Sequence, residues 1–294
     1  MRFTAPVLVT GYAGRLGREI VLLLRRHGYP VLGADLVAAP TTDVVLDIRD
    51  AAAVSTVVQA AGAVIHTAAL HGRHYDLRLP RLEFVRTNVE GTLHLLNACV
   101  THSLRKFLYT STTSIYGQAM VHPSEAVWVT EELAPQPRDI YDITKQAAEA
   151  LCRDFFEKEG LETTVLRVGR FLPEPANLSA NHRLYRGLDE RDGAQAHLLA
   201  LEKSFSTFEV FNVAAGSPFE RSDVAQLKHD PASVICHRLP EAADVYQQLG
   251  WQFPVSIDRV YCIEKAQRLL GYAPQYTPQY LLQAAASQAR CAAS

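Results

Sequence analysis

The sequence predicts an α/β protein, a doubly wound parallel sheet with a smaller C-terminal region. Three observations carry the prediction. Short apolar runs alternate with amphipathic stretches through the first 169 residues. Three glycines, Gly11, Gly14 and Gly17, separate the first run from the first amphipathic stretch. An acid, Asp35, ends the second run. Alternation of this kind builds parallel sheets whose crossovers are helices.

Taken in order, "VLVT" (Val7–Thr10) has the apolar continuity of a strand buried on both faces. "REIVLLLRRHG" places Ile20, Leu23 and Leu24 at helical spacing and stops at Gly28. "PVLGAD" is a second strand and "DVVLDIRD" (Asp43–Asp50) a third. "AAAVSTVVQAAG" is a helix closed by Gly62, and "AVIHTAAL" (Ala63–Leu70) the fourth strand. A polar loop, "HGRHYDLRLPR", leads to a long helix from Leu82 to His102. Lys106–Thr112 is the fifth strand. "IYDITKQAAEALCRDFFEKEG" is a second long helix with Asp139 as its N-cap. Glu162–Gly169 is the sixth strand. Beyond it the pattern loosens, and "RFLPEPANLSANHRLYRGLDERDGAQ" reads mostly as loop. "AHLLALEK" is helical, and residues 208–215 form a late strand that joins the sheet. A short polar region then leads to one helix, "SIDRVYCIEKAQRLLG", capped by Gly271.

Composition narrows the function. The chain has 294 residues, 48% hydrophobic and 20% charged, with a net charge of −2. That balance argues against a nucleic-acid or anionic-membrane partner. No apolar stretch is long enough to span a bilayer, and the chain enters its first strand without a signal-peptide pattern. The five cysteines are scattered and odd in number, as in a reduced cytoplasmic protein.

The glycine turn has a physical purpose. Glycine permits the tight turn, lets backbone approach a pyrophosphate and lets helix pack on strand. The helix start then offers N–H groups and a positive dipole end to phosphates. Gly11, Ala13, Gly14, Arg15, Leu16 and Gly17 are therefore candidate cofactor contacts. Asp35 stands near the offset of about 20 residues at which an acid accepts ribose hydroxyls, which favours NAD over NADP. Arg15 weakens that preference slightly. Residues 1–169, with the strand at 208–215, form the NAD-binding domain in this reading, and residues 170–294 are mainly substrate-binding.

The spacing G-x-x-G-x-x-G resembles the short-chain dehydrogenase/reductase superfamily, of Rossmann-type fold. It demands a Tyr-x-x-x-Lys with a Ser or Thr upstream. "YDITK" supplies Tyr141 and Lys145, four apart on one helix face. A phenol ordinarily near pKa 10 needs neighbouring positive charge to act as base at neutral pH. Lys145 and the nicotinamide are expected to supply it, so that Tyr141 takes a proton from a substrate hydroxyl. "YTSTTSIYG" (Tyr109–Gly117) narrows the likeness to the extended branch, the NAD-dependent epimerase/dehydratase family. By that resemblance Thr112 is the catalytic Thr, with Ser111 beside it on the cofactor side. Asp47 and Ile48 correspond to the adenine contacts. Ala68, Ala69 and Leu70 lie along the cofactor, and Asn88 tethers the active-site strand. Val168 passes the nicotinamide. Relatives dimerise through the two long helices, which implies a homodimer.

Departures from the family refine the expectation. Thr113 and Ser114 follow Thr112 where family dehydratases have Asp-Glu, which argues against dehydration. The segment between "LRVG" and "ERD" is shorter than in nucleotide-sugar epimerases, and its "PEPAN" resembles uronate dehydrogenases. Arg170, Arg183 and Arg186 could fork an anionic substrate group, or pair with Glu174, Asp189 or Glu190. His71, Arg73 and His74 follow the fourth strand, where relatives contact substrate; no third group makes the histidines a metal site. Thr113 is a further substrate candidate. The expected substrate is a sugar or nucleotide sugar. Family prevalence favours an epimerase, and the compact substrate region favours a net dehydrogenase of a free aldose or uronic acid. A non-catalytic NAD sensor is the rival from another class.

Overall fold

The computed structural model describes residues 4–38, 42–71 and 78–293, with side chains to residue 287. Seven strands form one sheet: β1 (Val7–Thr10), β2 (Val31–Asp35), β3 (Val44–Val45), β4 (Ala63–His66), β5 (Lys106–Thr112), β7 (Glu162–Val168) and β8 (Glu209–Val213). Their order is β3-β2-β1-β4-β5-β7-β8. β1 lies parallel between β2 and β4, with Val7 opposite Val31 and Ala63. β2–β3 and β4–β5 are parallel too. This is the doubly wound sheet predicted above. It puts the C-terminal ends of β1 and β4 side by side, where ligands of such sheets bind.

The chain divides into two compact units. The first comprises residues 1–115, 137–167 and 193–211. Its core sets Leu8, Val64, Phe107 and Val165 of the sheet in one cluster with Val54, Leu95, Cys99 and Cys152 of the helices. The second comprises residues 116–136, 168–192 and 212–294. It contains a parallel pair, β6 (Val127–Val129) with β9 (Arg259–Tyr261), and a core around Leu227, Ile235, Tyr246 and Val260.

Several elements differ from the sequence reading, each for a local reason. β3 ends at Val45 instead of continuing to Asp50. Asp47 turns to bind Arg49, and Asp50 accepts from the N–H groups of Ala52 and Ala53 at 3.0 Å as the next N-cap. β4 stops at His66. The helix expected from Leu82 to His102 is a short α-helix (Arg81–Phe84), a π-helical turn (Val85–Glu90) and a second α-helix (Gly91–Thr101). Residues 176–183, read as loop, form a helix whose buried side chains include Asn181 and His182. Its core face is partly polar, so it carries no hydrophobic period. The region after Gly216 holds three helices within 224–249. The single helix expected over 256–271 is strand β9 followed by a helix from Glu264 to Leu270. No helix among the described residues is long and apolar enough to cross a membrane.

Candidate active site and dinucleotide cradle

The glycine turn closes tightly on the next strand connection. Gly11 has φ +77°, and a Cβ there would lie 2.6 Å from both Ala68 N and Thr67 Oγ1. A Cβ on Gly17 would lie 2.2 Å from Gly11 O. Glycine is required at both positions. The helix Arg15–Arg26 starts at Gly14 with no side-chain cap and no acid in its first turn. Its leading N–H groups thus face no built-in carboxylate, as an anion cradle requires. Leu16 is buried beneath the turn, while Ala13 and Arg15 are exposed. Asp35 accepts from Ala13 N at 2.9 Å and from Val37 N at 3.0 Å, which ties the acid to the glycine turn. These features fit a dinucleotide.

Asp47 is held by Arg49 through Nε (2.9 and 3.0 Å) and Nη2 (2.7 Å), and Arg49 also reaches Glu83 at 2.8 Å. The Arg49 guanidinium keeps the Asp47 carboxyl below its ordinary range. Ile48 is buried against Gly91, where a Cβ would lie 2.7 Å from Ile48 Cγ1.

A buried polar chain runs from the glycine strand to the tyrosine helix. Thr92 donates to Asn88 O at 2.7 Å, so its oxygen accepts from His66 Nε2 at 3.0 Å. His66 Nδ1 then accepts from Thr10 Oγ1 at 2.7 Å. Burial lowers His66 to about 3, so the ring is neutral. Asn88, carried by the π turn, exchanges two 2.8 Å hydrogen bonds with the backbone of Leu70. Its amide also donates to Thr144 Oγ1 at 3.0 Å, and Thr144 donates to Tyr141 O at 2.9 Å. Ala68, Ala69 and Leu70 are half-buried along this path. A π turn at a functional position is a recurrent arrangement.

Tyr141 and Lys145 lie on the helix Ile140–Glu159, whose N-cap Asp139 accepts from Asp142 N at 2.9 Å. Thr112 ends β5, and its side chain favours the ionised form of Tyr141. Thr112 Oγ1 also accepts from Ser114 N at 3.1 Å. Burial raises Tyr141 above its ordinary value, and Thr112 opposes the rise. This reverses the expected direction: in the protein's own atoms desolvation dominates, not attraction to Lys145. Lys145 is buried and donates to Thr110 O at 2.7 Å; burial brings it down to about 7. The Ser111 hydroxyl is buried with no hydrogen-bond partner among the described residues. Val168 is buried at the end of β7.

The substrate candidates are spread more widely. His71 is half-buried and Thr113 buried, while Arg73 and His74 lie outside the described residues. In the second unit, Arg170 pairs with Glu174 at 2.5 Å, and Glu174 also binds His182 Nδ1 at 2.6 Å. Arg183 donates to Tyr276 O at 2.7 Å and lies 3.4 Å from Asp189. Arg186 approaches His182 Nε2 at 2.5 Å, and its Nε is buried with no partner among the described residues.

Sequence reasoning passed over His197. Its Nδ1 donates to Gly193 O at 2.7 Å, so its Nε2 accepts from Thr110 Oγ1 at 2.8 Å, and Thr110 is the residue whose carbonyl receives Lys145. One histidine on an apolar helix has no local signature. It also passed over the buried pair Glu149–Arg167, the acid of which lies one turn beyond Lys145.

The sequence model of the NAD dependent epimerase/dehydratase family matches residues 7–183. UDP-glucose 4-epimerase 4 of Oryza sativa subsp. japonica is 31% identical over 193 residues, 59% of this chain and 50% of that one. Uronate dehydrogenase of Pseudomonas putida is 27% identical over 179 residues, 58% of this chain and 63% of that one. These two matches span from half to under two thirds of the relatives' own length. A structure of a short-chain dehydrogenase/reductase superfamily protein from Agrobacterium tumefaciens with bound NAD superposes at TM-score 0.73 and 23% identity, over 97% of both chains. At that identity the likeness is one of fold.

Proposed function

Because the chain belongs to the NAD dependent epimerase/dehydratase family, we propose that it oxidises a hydroxyl-bearing carbon of a sugar or nucleotide sugar with NAD, working as an epimerase. The observation that carries this reading is the meeting of the tyrosine helix with β5, where buried Lys145, one turn along from Tyr141, donates to Thr110 O at 2.7 Å and Thr112 favours the ionised Tyr141. Gly11 to Gly17, Asp35, the Ala68–Leu70 backbone, Ser111 and Lys145 would hold the dinucleotide. NAD, when bound, supplies the two-electron acceptor for the carbinol carbon. Tyr141 takes the hydroxyl proton, and Thr112 orients the same oxygen. Lys145, one turn along the helix, and bound NAD would contribute positive charge near the phenol. Burial, with Asp142 and Asp139 nearby, raises Tyr141, so these charges must offset both before the phenol acts as base.

An epimerase returns substrate with one centre inverted and no net redox change. The second reading is a net dehydrogenase of a free aldose or uronic acid, favoured by the short stretch between Val168 and Glu190 and by the uronate dehydrogenase match. Denaturing the purified protein and assaying the supernatant separates the two. One NAD released per chain supports the epimerase. An empty protein that binds added NAD reversibly and makes NADH from a free sugar replaces it with the dehydrogenase. A chain that binds neither NAD nor NADP sinks both.

The homodimer implied by family resemblance has a surface to form on. Leu82 just before the π turn, Val85 at its start and Ile143 on the tyrosine helix are 54%, 40% and 52% exposed. Sedimentation is expected to give a dimer, and Leu82→Glu with Ile143→Glu a monomer. A native monomer at micromolar concentration would refute the dimer.

A further inference from the structure

Lys145 is buried, so whatever surrounds its ammonium decides whether it carries a charge. Thr110 O accepts one proton at 2.7 Å. The Tyr109 ring lies beneath the nitrogen, its centroid 4.5 Å from Nζ. Glu149 and Cys152 approach from Lys145's own helix, and His66 from β4. Glu149 is occupied by Arg167, at 3.0 Å from Nε and 2.7 Å from Nη2. His66 is neutral, and burial raises the Cys152 thiol well above its ordinary value, so it too is uncharged. The Glu149 carboxylate, shared with Arg167, supports the cation through space, and the electron-rich face of the buried Tyr109 ring supports it by direct contact. Such contacts act within about 6 Å of the centroid and strengthen when water is excluded. Tyr109 is 1% exposed, and its ring centroid lies 5.7 Å from that of His66.

We propose that Tyr109 is a positioning residue for the reaction: its ring face seats the Lys145 ammonium and keeps it charged. This rests on the reading of Tyr141 and Lys145 given above. Alternation along β5 separates the roles. Thr110 and Thr112 share one side of the strand, and Tyr109 takes the other. The strand thus presents Thr112 to the phenol and, three residues earlier, a ring to the amine.

Shape must be kept while the ring's charge distribution is changed. Tyr109→Phe retains the face, and a trifluorinated phenylalanine at position 109 withdraws its electrons at nearly equal volume. The direct readout is titration of Lys145, followed by its Cε resonance in lysine-labelled protein and assigned by its loss in Lys145→Met. Burial brings the native amine down to about 7. Tyr109→Phe is expected to keep the native midpoint. The fluorinated ring should lower it by about one unit, leaving roughly fivefold less charged lysine at neutral pH. NAD affinity at the same pH should weaken several-fold. Equal midpoints in the two variants would overturn the proposal and leave Tyr109 a packing residue. Absence of NAD binding in the native protein would instead defeat the functional reading, while the titration would still decide the ring's role.

Discussion

Tyr141→Phe is expected to lower kcat/KM by about 10²- to 10⁴-fold while leaving NAD binding near its native value. The substitution removes one oxygen and keeps the ring, which is half-buried beside Thr112. The lost group is the proton acceptor, so the loss should appear in kcat rather than in affinity. Thr112→Val tests the same pair from the other side. The Thr112 hydroxyl counters the upward push of burial on Tyr141, so its removal should move the rise of activity with pH further to the alkaline side. Steady-state kinetics across pH, with NAD binding followed separately, checks both. Turnover in Tyr141→Phe within a few-fold of native would end the assignment of Tyr141 as base.

Arg167→Met is expected to destabilise the fold by about 3–5 kcal/mol, because it strands a buried carboxylate. Both side chains of the Glu149–Arg167 pair are 8% exposed, and the guanidinium meets the carboxylate at two points. The Coulombic gain of such a pair only roughly offsets its desolvation, so replacing both partners by apolar groups should recover most of the loss. Urea unfolding of Arg167→Met and of the double variant with Glu149→Leu measures this. A single variant within about 1 kcal/mol of native would show that Glu149 is not held by Arg167 in the way described. Glu149 also favours the charged form of Lys145, which lies one turn before it.

Much of the first unit was legible because its signals are local. The glycine turn reads directly, since the need for positive φ at Gly11 and for no Cβ at Gly17 lies within a few residues. The helix after Asp139 reads from its N-cap and ends in left-handed Gly160. The helix at 176–183 did not read, because it buries polar residues: Asn181 accepts from the Tyr246 hydroxyl at 2.7 Å. The π turn did not read either. Asn88 within it meets the Leu70 backbone, a contact 18 residues away in sequence.

The sequence by itself determined the parallel sheet, the phosphate-type turn, and the spacing that puts Tyr141 and Lys145 on one helix face. Those follow from backbone geometry and helical period, which a short stretch of chain contains. The tertiary structure decided what those side chains feel. Burial raises Tyr141 and lowers Lys145, the Tyr109 ring lies under the amine, and Arg170 and Arg183 meet acids of their own unit. Desolvation and charge act through space and sum over every atom packed nearby, and most of those atoms come from distant parts of the chain.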